Sequence, residues 1–483
     1  MSVSDPSINS SKRKQAIRRL QDQLAPERSR WLERGAFFHS EDLRYLRFLV
    51  PEGARVLELG CGTGHVLAAL KPSFGVGVDF SGAMIAEARR SFPHLSFIEG
   101  DIEDGGLIKS LPGPFDFIIV VDTLGVLDDC QTLFESLHQL STRETRLIIA
   151  YFSHLWYPAL KLAERLKLRM PQPWQNVLSP ADIRSLAALG DFEAVKSEIR
   201  LLMPFRLFGL GRLINRFLAP FPVLRQAGLR HYTVCRSLQR TVDELSSASI
   251  IVPARNERGN IEAAVRRIPP FTDNLEIIFV EGHSKDGTWE EIQRVVVTYP
   301  QHNIKAMHQP GKGKADAVFA GFEAASGEVL MILDADLTMP PEQLPKFWQA
   351  IASGKGEFVN GSRLVYQMED EAMRFLNLLA NKTFSVVFSW LLSQRLTDTL
   401  CGTKVLRRAD YRRVKAGRTY FGEFDPFGDF DLIFGASKLG LKIVEVPIRY
   451  ASRTYGETQI SRFRHGLMLL RMVLFAFFRI KAM

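Results

Sequence analysis

The sequence predicts an α/β protein made of two doubly wound domains in series. At 483 residues it has room for two cores, because a globular domain usually takes roughly 100 to 250 residues. An alternation of strands and helices begins twice along the chain, and each half carries its own Gly-rich or Asp-rich motif. Hydrophobic residues make up 46% and charged residues 24%, so both halves are expected to fold.

The first domain is expected to contain a sheet of short, buried strands. Five apolar segments separated by helical patterns have the length of parallel strands that are buried on both faces. A further pair of strands is expected to close the sheet. In chain order, the predicted strands are 55–59, 75–78, 95–98, 115–121, 146–151, 192–202 and 231–236.

The strand pattern starts again in the second half of the chain. Its predicted strands are 249–252, 275–280, 304–307, 329–333 and 357–360. The two series divide the chain into a basic helical extension, a first domain, a linker, a second domain and a C-terminal helix. The expected bounds of these five parts are 1–40, 41–239, 240–248, 249–463 and 464–483.

The net charge of +9 is concentrated in two apolar stretches that carry arginine and no carboxylate, an insertion at 203–229 and the C-terminal helix at 464–483. In the insertion, Leu210 and Leu213 share a helical face, with Arg212 on another. Basic amphipathic helices of this kind lie on anionic membrane surfaces. The alternative is that both helices cover the cores of their own domains. No nucleic-acid-binding motif accompanies the charge, so nucleic acid is not an expected partner.

Cysteine usage and the first residues of the chain predict a location. The chain has 4 cysteines, and they are scattered without the spacing of a disulfide framework or a zinc site, which fits a reducing cytoplasm. The N-terminal residues are polar and basic, unlike the apolar core of a signal peptide. Together with the basic helices, this predicts a cytoplasmic protein that is peripheral on the inner face of the membrane.

The first motif is a glycine-rich loop between a strand and a helix. Glu58, Gly60, Gly62 and Gly64 occupy alternate positions, and glycine lets the backbone pass close to a ligand at a helix N-terminus. A dinucleotide-binding loop has the spacing GxGxxG, whereas here the third glycine comes one position early, which argues against NAD. At the end of the next strand, Asp79 is placed to accept the hydroxyls of a ribose.

This ExGxGxG loop, with an acidic residue after the second strand and Gly-Asp after the third, resembles the class I S-adenosylmethionine-dependent methyltransferases. The resemblance implies a Rossmann-like fold in which the glycine loop approaches the methionine part of S-adenosylmethionine and Asp79 holds the ribose. It also implies that Asp101 and Ile102 frame the adenine and that Asp122 lines the methyl-donor side. The candidate cofactor-binding residues are therefore Glu58, Gly60, Gly62, Gly64, Asp79, Asp101, Ile102 and Asp122.

The resemblance extends over residues 41–236 and leaves the methyl acceptor open. A small-molecule or lipid-linked hydroxyl is the default expectation, because no motif for another acceptor is present. His65 and His154 are candidates for the base that such a hydroxyl requires. A single histidine more often serves in a structural hydrogen bond, so neither is assigned.

The second motif, Asp334-Ala335-Asp336, ends an apolar strand, so both carboxylates emerge at the carboxyl edge of the sheet. Oxygen ligands of this kind suit Mg²⁺ or Mn²⁺ bound together with a diphosphate. Polar residues also follow the preceding strands, at 253–257, Glu281 and Asp286. Residues 311–314 add flexible backbone and cations that can face phosphates. A nucleotide-diphosphate site is therefore expected.

The second domain, 249–463, resembles the family 2 glycosyltransferases of the GT-A fold, and among them the polyprenyl-phosphate (dolichyl-phosphate) mannosyltransferase-like branch. The motifs that carry the resemblance are PARNE, EGHSKDGT, GKGKADAVFAGFEAASGEVLMILDAD, GSR, DTLCGTKVLRR, GDFDLIF, KIVEVPIRY and RTYGET. The nucleotide-sugar-binding residues that it implies are Pro253, Asn256, Glu257, Glu281, Asp286, Lys314 and Asp334. The metal ligands that it implies are Asp334 and Asp336, and the side chains that face anionic oxygens are Lys314, Arg363 and Arg453.

The chain departs from the family pattern at two points. It has Glu281-Gly282-His283 where the family has DDG, and Gln459 where the family has a lysine. The lysine lies in a loop expected near the acceptor phosphate, so its replacement removes one cation. Arg462 and Arg464 lie close enough in sequence to compensate.

The acceptor decides which acids take part in the transfer. A lipid phosphate is already anionic and needs no strong base, whereas a hydroxyl acceptor needs a carboxylate to take its proton. Asp431 is the candidate base and Asp429 the second, the alternative being that both cap the start of a helix. With Arg363 and Arg453 they form the candidate catalytic set.

Together, the two resemblances predict a bifunctional enzyme. The second domain is expected to transfer a sugar from a nucleotide-diphospho-sugar to a membrane lipid, with inversion and with polyprenyl phosphate as the favoured acceptor. The first domain is expected to methylate a glycan or lipid of the same pathway. The alternative is a glycosyltransferase that acts on a lipid or glycan hydroxyl, with the first domain as a regulatory or docking module.

Overall fold

The computed structural model describes residues 11–242, 244–365, 375–420, 428–453, 455 and 462–483. Gln459 lies outside these residues, and so do the side chains of Arg462 and Arg464. The chain divides into two compact units, here called the N-terminal unit (Met1–Arg240 with Ala482–Met483) and the C-terminal unit (Thr241–Lys481).

The N-terminal unit is built around a 7-stranded sheet. Its strands are β1 (Arg55–Leu59), β2 (Phe74–Asp79), β3 (Ser96–Glu99), β4 (Phe115–Val121), β5 (Ser141–Phe152), β6 (Phe192–Arg200) and β7 (Arg230–Ser237). They lie in the order β3-β2-β1-β4-β5-β7-β6, and β7 runs antiparallel to β5 and β6 while the other pairs are parallel. The predicted doubly wound α/β architecture is confirmed.

Helices precede and connect these strands. They are α1 (Lys12–Leu24), α2 (Arg28–Arg34), α3 (Ala36–Leu49), α4 (His65–Ala69), α5 (Gly82–Ser91), α6 (Gly105–Ser110), α7 (Cys130–Leu137), α8 (Tyr157–Arg165), α9 (Pro180–Leu189) and α10 (Leu210–Leu213). Because each crossover connection returns the chain to the same end of the sheet, the carboxyl ends of the parallel strands β1 to β4 share one edge. That edge carries the glycine loop and the acidic residues expected from the sequence.

The predicted strand bounds agree with the structure except at β5, which begins five residues before the predicted 146. Residues Ser141 to Thr145 are polar, so they do not look like a buried strand in the sequence. The structure explains the difference, because the pairing of β5 with β4 shifts register between Phe115 and Phe117. Such an irregularity extends a strand through residues that interrupt its apolar pattern.

The C-terminal unit also contains a 7-stranded sheet, in the order β10-β9-β8-β11-β13-β12-β14. Its strands are β8 (Ser247–Ala254), β9 (Asn274–Glu281), β10 (Asn303–His308), β11 (Val329–Ile332), β12 (Phe358–Ser362), β13 (Lys404–Arg407) and β14 (Ile443–Pro447). Strand β13 runs antiparallel to β11 and β12, and the other pairs are parallel. The strand series read from the sequence included neither β13, which has charged residues at both of its ends, nor β14, which is interrupted by Glu445 and ends at Pro447.

The helices of this unit are α11 (Ile261–Arg267), α12 (Thr288–Thr298), α13 (Lys314–Ala324), α14 (Leu344–Ala352), α15 (Phe375–Leu392), α16 (Arg408–Ala416), α17 (Asp429–Lys438) and α18 (Arg462–Ala476). A π-helical turn, Phe477–Lys481, continues α18. The core is formed by the apolar faces of the central strands, among them Ile250, Phe279 and Met331, which are all buried. Among the described helices, none has both the length and the apolar character required to cross a bilayer.

The basic insertion of the N-terminal unit is less regular than the amphipathic helix that the sequence predicts. The helix α10 passes directly into a π-helical turn, Ile214–Leu218. Leu210 and Leu213 are exposed, and within the insertion Asn215 is buried and holds the backbone of Met203 through two hydrogen bonds of 2.8 and 2.9 Å. These leucines therefore do not cover the core of their domain.

Candidate functional sites

The glycine loop of the N-terminal unit lies between β1 and α4 and needs glycine for steric reasons. Gly60, Gly62 and Gly64 have φ values of +76°, +53° and +73°, which L side chains rarely adopt. A Cβ at Gly60 collides with the Thr123 side chain, and one at Gly64 lies 2.5 Å from the Phe97 ring. The loop is therefore a bare backbone surface in front of the N-terminus of α4.

Two buried carboxylates support this loop. Asp79 accepts hydrogen bonds from the Gly62 amide at 2.8 Å and from the Ser81 amide at 2.9 Å, and burial raises its pKa. Glu58 lies beneath the loop, where it accepts a hydrogen bond of 2.9 Å from the Leu67 amide, and burial raises its pKa to about 8. Asp79 holds the loop on the side that faces the cavity described below, and Glu58 holds it on the opposite side.

Most of the expected cofactor residues meet at one cavity, here called the donor cavity, with about 850 Å³ of empty space. Glu58 and Gly64 lie outside the lining, consistent with their supporting positions. The expected residues that do line it are Gly60, Gly62, Asp79, Asp101, Ile102 and Asp122.

The helix α1 forms one wall of the donor cavity, although the sequence assigned it to a separate extension. Lys14 pairs with Asp101 at 2.5 Å and with Glu103 at 2.6 Å, while Ile17 and Arg28 also line the cavity. Sequence analysis missed this wall because the contact joins residues 87 positions apart. The sequence offered one signal for this contact, a basic helix that precedes a sheet edge carrying acidic residues.

Asp122 is held by a buried charge network behind the cavity. Its Oδ1 accepts a hydrogen bond of 2.5 Å from Arg230, which is 0% exposed and also donates two hydrogen bonds of 3.1 Å to Asp42. Tyr232 donates to the same Asp42 carboxylate. Burial raises the pKa of Asp122, and Arg230 opposes this shift. Asp122 has φ +53°, in the left-handed region that residues other than glycine uncommonly adopt.

Asp122 also lines a second cavity, here called the acceptor cavity, with about 670 Å³ of empty space. Strand β5 and helix α8 supply much of its wall, and Ser153, His154 and Arg169, from the segments next to these elements, also line it. Of the two histidines considered as bases, His154 therefore lies at a cavity, whereas His65 lines neither the donor nor the acceptor cavity. Asp122 is thus a carboxylate that lines both the donor cavity and the acceptor cavity.

In the C-terminal unit, the loops after β8 and β9 are tied together. Asn256, at φ +57°, donates its amide to Ser284 Oγ at 2.9 Å and accepts the Lys285 amide on its Oδ1 at 2.9 Å. The Glu257 amide donates to Thr288 Oγ1 at 3.0 Å. Pro253, partly buried in β8, precedes this loop. These bonds hold the polar residues of both loops at one edge of the sheet.

Glu281 and Asp286 are held in their ionised forms. Although burial alone raises the pKa of Glu281, hydrogen bonds from Ser284 and His308 lower it overall. Asp286 behaves in the same way, because amides and the Thr288 hydroxyl donate to it. His308 was not expected from the sequence, since it ends a strand without a motif.

Asp334 and Asp336 each face a cation. Lys314 Nζ lies 2.6 Å from Asp334, and despite burial this contact lowers the pKa of Asp334. Arg453 lies 2.5 Å from Asp336 and 3.4 Å from Glu257. In the described residues, no group of three or more His, Cys, Asp or Glu side chains is arranged to hold a metal ion.

Arg363 lies near Asp334, but its guanidinium forms an ion pair with another carboxylate. Its backbone and guanidinium donate three hydrogen bonds of 2.7 to 3.0 Å to Asp398, which is fully buried. Burial opposes ionisation of Asp398, but Arg363 lowers its pKa to about 2. The sequence placed Asp398 in a matching motif without giving it a role. Asp398 therefore fixes the position of the Arg363 side chain.

The two candidate bases differ in their surroundings. Asp431 accepts a hydrogen bond of 3.1 Å from Arg418, whose guanidinium lies 4.3 Å from the centre of the Phe319 ring. Asp429 is buried at the start of α17, and among the described residues its Oδ1 has no hydrogen-bond partner, with Lys404 Nζ at 4.0 Å. Burial raises the pKa of Asp429. Asp429 is therefore the more available proton acceptor.

Comparison with protein families assigns each half of the chain. Residues 12–197 match the family model described as a methyltransferase domain, and residues 249–413 match the model for glycosyl transferase family 2. The first match begins inside α1, so it includes the helix that lines the donor cavity. The chain joins a methyltransferase domain to a family 2 glycosyltransferase domain.

The sequence relatives of the second half act on polyprenyl-type lipids according to their names. A dolichol-phosphate mannosyltransferase from Pyrococcus furiosus is 34% identical over 219 residues, which are 44% of this chain and 59% of that protein. A polyprenol monophosphomannose synthase from Mycolicibacterium smegmatis is 27% identical over 46% of this chain and 83% of its own length. This chain thus spans less than two thirds of the archaeal relative.

Solved structures similar to each half are more distant. A SAM-dependent methyltransferase from Thermotoga maritima is 19% identical with a TM-score of 0.36, over 46% of this chain and 99% of that chain. A glucosyl-3-phosphoglycerate synthase from Mycobacterium tuberculosis is 17% identical with a TM-score of 0.36, over 50% of this chain and 83% of that chain.

Proposed function

We propose that the C-terminal unit transfers a sugar from a nucleotide-diphospho-sugar to polyprenyl phosphate at a membrane surface, with inversion at the anomeric carbon. The observation that carries this proposal is the convergence of Asp334, Asp336, Lys314 and Arg453 at the carboxyl edge of the sheet. The 34% identity to a dolichol-phosphate mannosyltransferase supports the acceptor.

The loops after β8 and β9 are the proposed site of the nucleoside. Glu257, Glu281 and Asp286 present carboxylate oxygens that can accept the hydroxyls of a ribose and the donors of a base. Asn256 and Pro253 shape the loop that carries Glu257. This site holds the donor through its nucleotide, so it leaves open which sugar is carried.

The two aspartates fit Mg²⁺ or Mn²⁺ as part of a complex with the donor. Such ions are commonly bound by one or two protein carboxylates, with substrate phosphates as further ligands, so two aspartates suffice as the ligands from the protein. When bound, the ion neutralises the leaving nucleoside diphosphate. Lys314 and Arg453, which face the aspartates, are placed to pair with diphosphate oxygens once the donor is present.

An anionic acceptor makes a general base unnecessary. The phosphate oxygen of the lipid attacks the anomeric carbon opposite the leaving diphosphate, which explains inversion. Asp431 pairs with Arg418, so its carboxylate is already engaged by a cation. The second candidate function, transfer to a lipid or glycan hydroxyl, is favoured by Asp429 Oδ1, which has no hydrogen-bond partner in the described part of the chain and can accept the hydroxyl proton.

The C-terminal helix supports a membrane location for this reaction. Leu467, Leu470, Leu474 and Phe478 follow helical spacing and are 44 to 58% exposed, whereas the opposite face of the helix is buried. A helix that is apolar on its solvent side as well as its core side is suited to contact with lipid. We infer that this stripe and the basic insertion at 203–229 hold the protein peripherally on an anionic membrane surface on the cytoplasmic side.

We further propose that the N-terminal unit binds S-adenosylmethionine in the donor cavity and methylates a glycan or lipid of the same pathway. Asp79 is placed for the ribose hydroxyls, Asp101 and Ile102 for the adenine, and Asp122 for the methyl side. The alternative is a docking or regulatory module that binds S-adenosylmethionine without turnover. Calorimetric binding of S-adenosylmethionine, compared between the native protein and Asp79→Asn, tests the site itself.

A panel of radiolabelled nucleotide sugars tests the glycosyltransferase proposal. Each donor is incubated with polyprenyl phosphate, with and without Mn²⁺, and lipid-linked sugar is measured by extraction into organic solvent. We expect one donor to give product with the native protein, and Asp336→Asn to reduce it at least about 100-fold. Asp273→Asn, an exposed acid in the loop before β9, is the matched control. Absence of product from every donor, together with transfer to a hydroxyl acceptor, contradicts the proposal.

A further inference from the structure

The helix α8, with the turn before it, has apolar residues on the side that faces solvent. Leu155, Leu162, Leu166 and Leu168 are 56 to 67% exposed, and no residue of α8 is buried. At about 100° per residue, Leu155, Leu162 and Leu166 share one face. A helix whose only role is to cover its own domain carries polar residues on that face.

The opposite face of α8 forms a wall of the acceptor cavity. Tyr157, Leu160, Lys161 and Glu164 line that cavity and have the spacing of a single helical face. Lys161 and Arg169 both pair with Glu164, at 2.9 and 2.6 Å. The cavity and the exposed leucines therefore lie on the two sides of one short helix.

The interior of the acceptor cavity holds polar groups that lack partners. Ser153 is 1% exposed, and in the described part of the chain neither its Oγ nor Nδ1 of the nearby His154 has a hydrogen-bond partner. Buried polar atoms are normally paired, because an unpaired group loses its hydration without compensation. Both residues line the cavity together with Asp122, so a ligand with several hydroxyl groups meets their requirements.

Charge on the rim points to the same kind of ligand. Arg165 and Lys167 are exposed next to the leucines, whereas Lys161 and Arg169 pair with Glu164 at the cavity wall. Cations beside an exposed apolar face are the arrangement by which a peripheral helix binds an anionic lipid surface. The cations and the leucines together favour an amphiphilic lipid over a water-soluble glycan as the ligand of the acceptor cavity.

We propose that the methyl acceptor is the hydroxylated head group of a membrane lipid, which enters the acceptor cavity while the leucine face of α8 lies in the lipid surface. The inference rests on the proposed methyl transfer. In the reaction, a head-group oxygen bonds to the methyl carbon as the carbon–sulfur bond breaks. The electron pair stays on sulfur, and the hydroxyl proton passes to Oδ2 of Asp122, because Arg230 bonds to Oδ1. Ser153 and His154 orient the head group by hydrogen bonds.

The first test measures contact with lipid. The full chain, already carrying Leu470→Asp and Leu474→Asp to remove the C-terminal stripe, is floated with vesicles of phosphatidylglycerol and phosphatidylethanolamine. Adding Leu162→Asp and Leu166→Asp is expected to lower vesicle binding at least about tenfold. Leu189→Asp, on the exposed end of α9, is the control and is expected to have no effect. Equal binding by both variants overturns the proposal.

The second test follows the methyl group. S-adenosylmethionine labelled on its methyl carbon is incubated with the full protein and a total membrane lipid extract, and label is partitioned between organic and aqueous phases. We expect label in the organic phase, and at least about a tenfold loss in Ser153→Ala with unchanged affinity for S-adenosylmethionine. Label in a water-soluble product overturns the inference but leaves methyl transfer intact. Failure to bind S-adenosylmethionine contradicts the underlying proposed function instead.

Discussion

Substitution of Gly402 by alanine tests the geometry of the sugar-transfer site without removing any charged group. Gly402 precedes β13 and lies against the Lys314 and Asp334 pair. A Cβ at this position collides with Asp334 Oδ2 and lies 2.7 Å from Asp334 Cγ and 2.5 Å from Lys314 Nζ. Ordinary contacts of carbon with oxygen or nitrogen need about 3.3 Å or more, so both side chains must move.

The required movement sets the size of the effect. Asp334 and Lys314 are displaced by roughly 1 Å, and a misplacement of that size costs about 100-fold in rate. This corresponds to about 2.7 kcal/mol of transition-state stabilisation. The colliding atoms are the ends of side chains and not backbone, so the fold is expected to remain intact.

The assay is kcat/KM for sugar transfer to polyprenyl phosphate, with thermal unfolding measured in parallel. Gly417→Ala is the matched control, since its Cβ meets only backbone carbonyls at 3.7 Å. We expect Gly402→Ala to lose about 100-fold in kcat/KM at an unchanged melting temperature. Native activity in Gly402→Ala refutes the assignment of the Lys314 and Asp334 pair to catalysis.

Three further predictions concern the N-terminal unit. Burial raises the pKa of Glu58 to about 8 from 4.5, so the folded state retains a proton that the unfolded chain releases. The stability that this group contributes therefore falls as the pH rises between these two values. Glu58→Gln is expected to flatten the dependence of the urea unfolding midpoint on pH. Lys14→Met is expected to weaken S-adenosylmethionine binding about fivefold by calorimetry, because it releases α1 from Asp101, whereas the exposed Lys12→Met has no effect. Arg230→Met leaves the buried Asp42 carboxylate without its cation and is expected to cost about 3 to 5 kcal/mol of unfolding free energy. An unchanged denaturation curve for this last variant contradicts the network as described.

Sequence patterns predicted the parts of each site that are local in the chain. The glycine loop at 60–64 and Asp79 follow strands whose apolar runs are unmistakable, so their placement at one sheet edge follows from strand order alone. The same reasoning placed Asp334 and Asp336 after β11. In both units, a residue at the carboxyl end of a buried parallel strand was correctly expected to reach the sheet edge.

The parts that the sequence did not predict are pairings between distant segments. Arg363 and Asp398 are 35 positions apart, and nothing in either motif states that one side chain satisfies the other. Arg230 and Asp42 are 188 positions apart and meet only because β7 is inserted beside β5. Such pairs depend on tertiary packing, in which a buried charge requires a partner from whichever element lies nearby.

The acceptor cavity illustrates the same limit. Its polar groups come from the end of β5, where Ser153 and His154 follow an apolar run without any recognisable spacing. Only the folded chain shows that Ser153 is enclosed and that the exposed leucines of α8 lie on the far side of the cavity wall.

The central claim is that the glycosyltransferase domain uses a lipid phosphate as its acceptor. It is tested most directly by comparing two lipids that differ in one group. Polyprenyl phosphate and the corresponding polyprenol are presented in the same vesicles with the donor identified from the nucleotide-sugar panel. Because a lipid phosphate is already anionic and no base is assigned to the reaction, kcat/KM for the phosphate is expected to exceed that for the alcohol at least about 100-fold. Equal or faster transfer to polyprenol contradicts the account and identifies a hydroxyl as the acceptor.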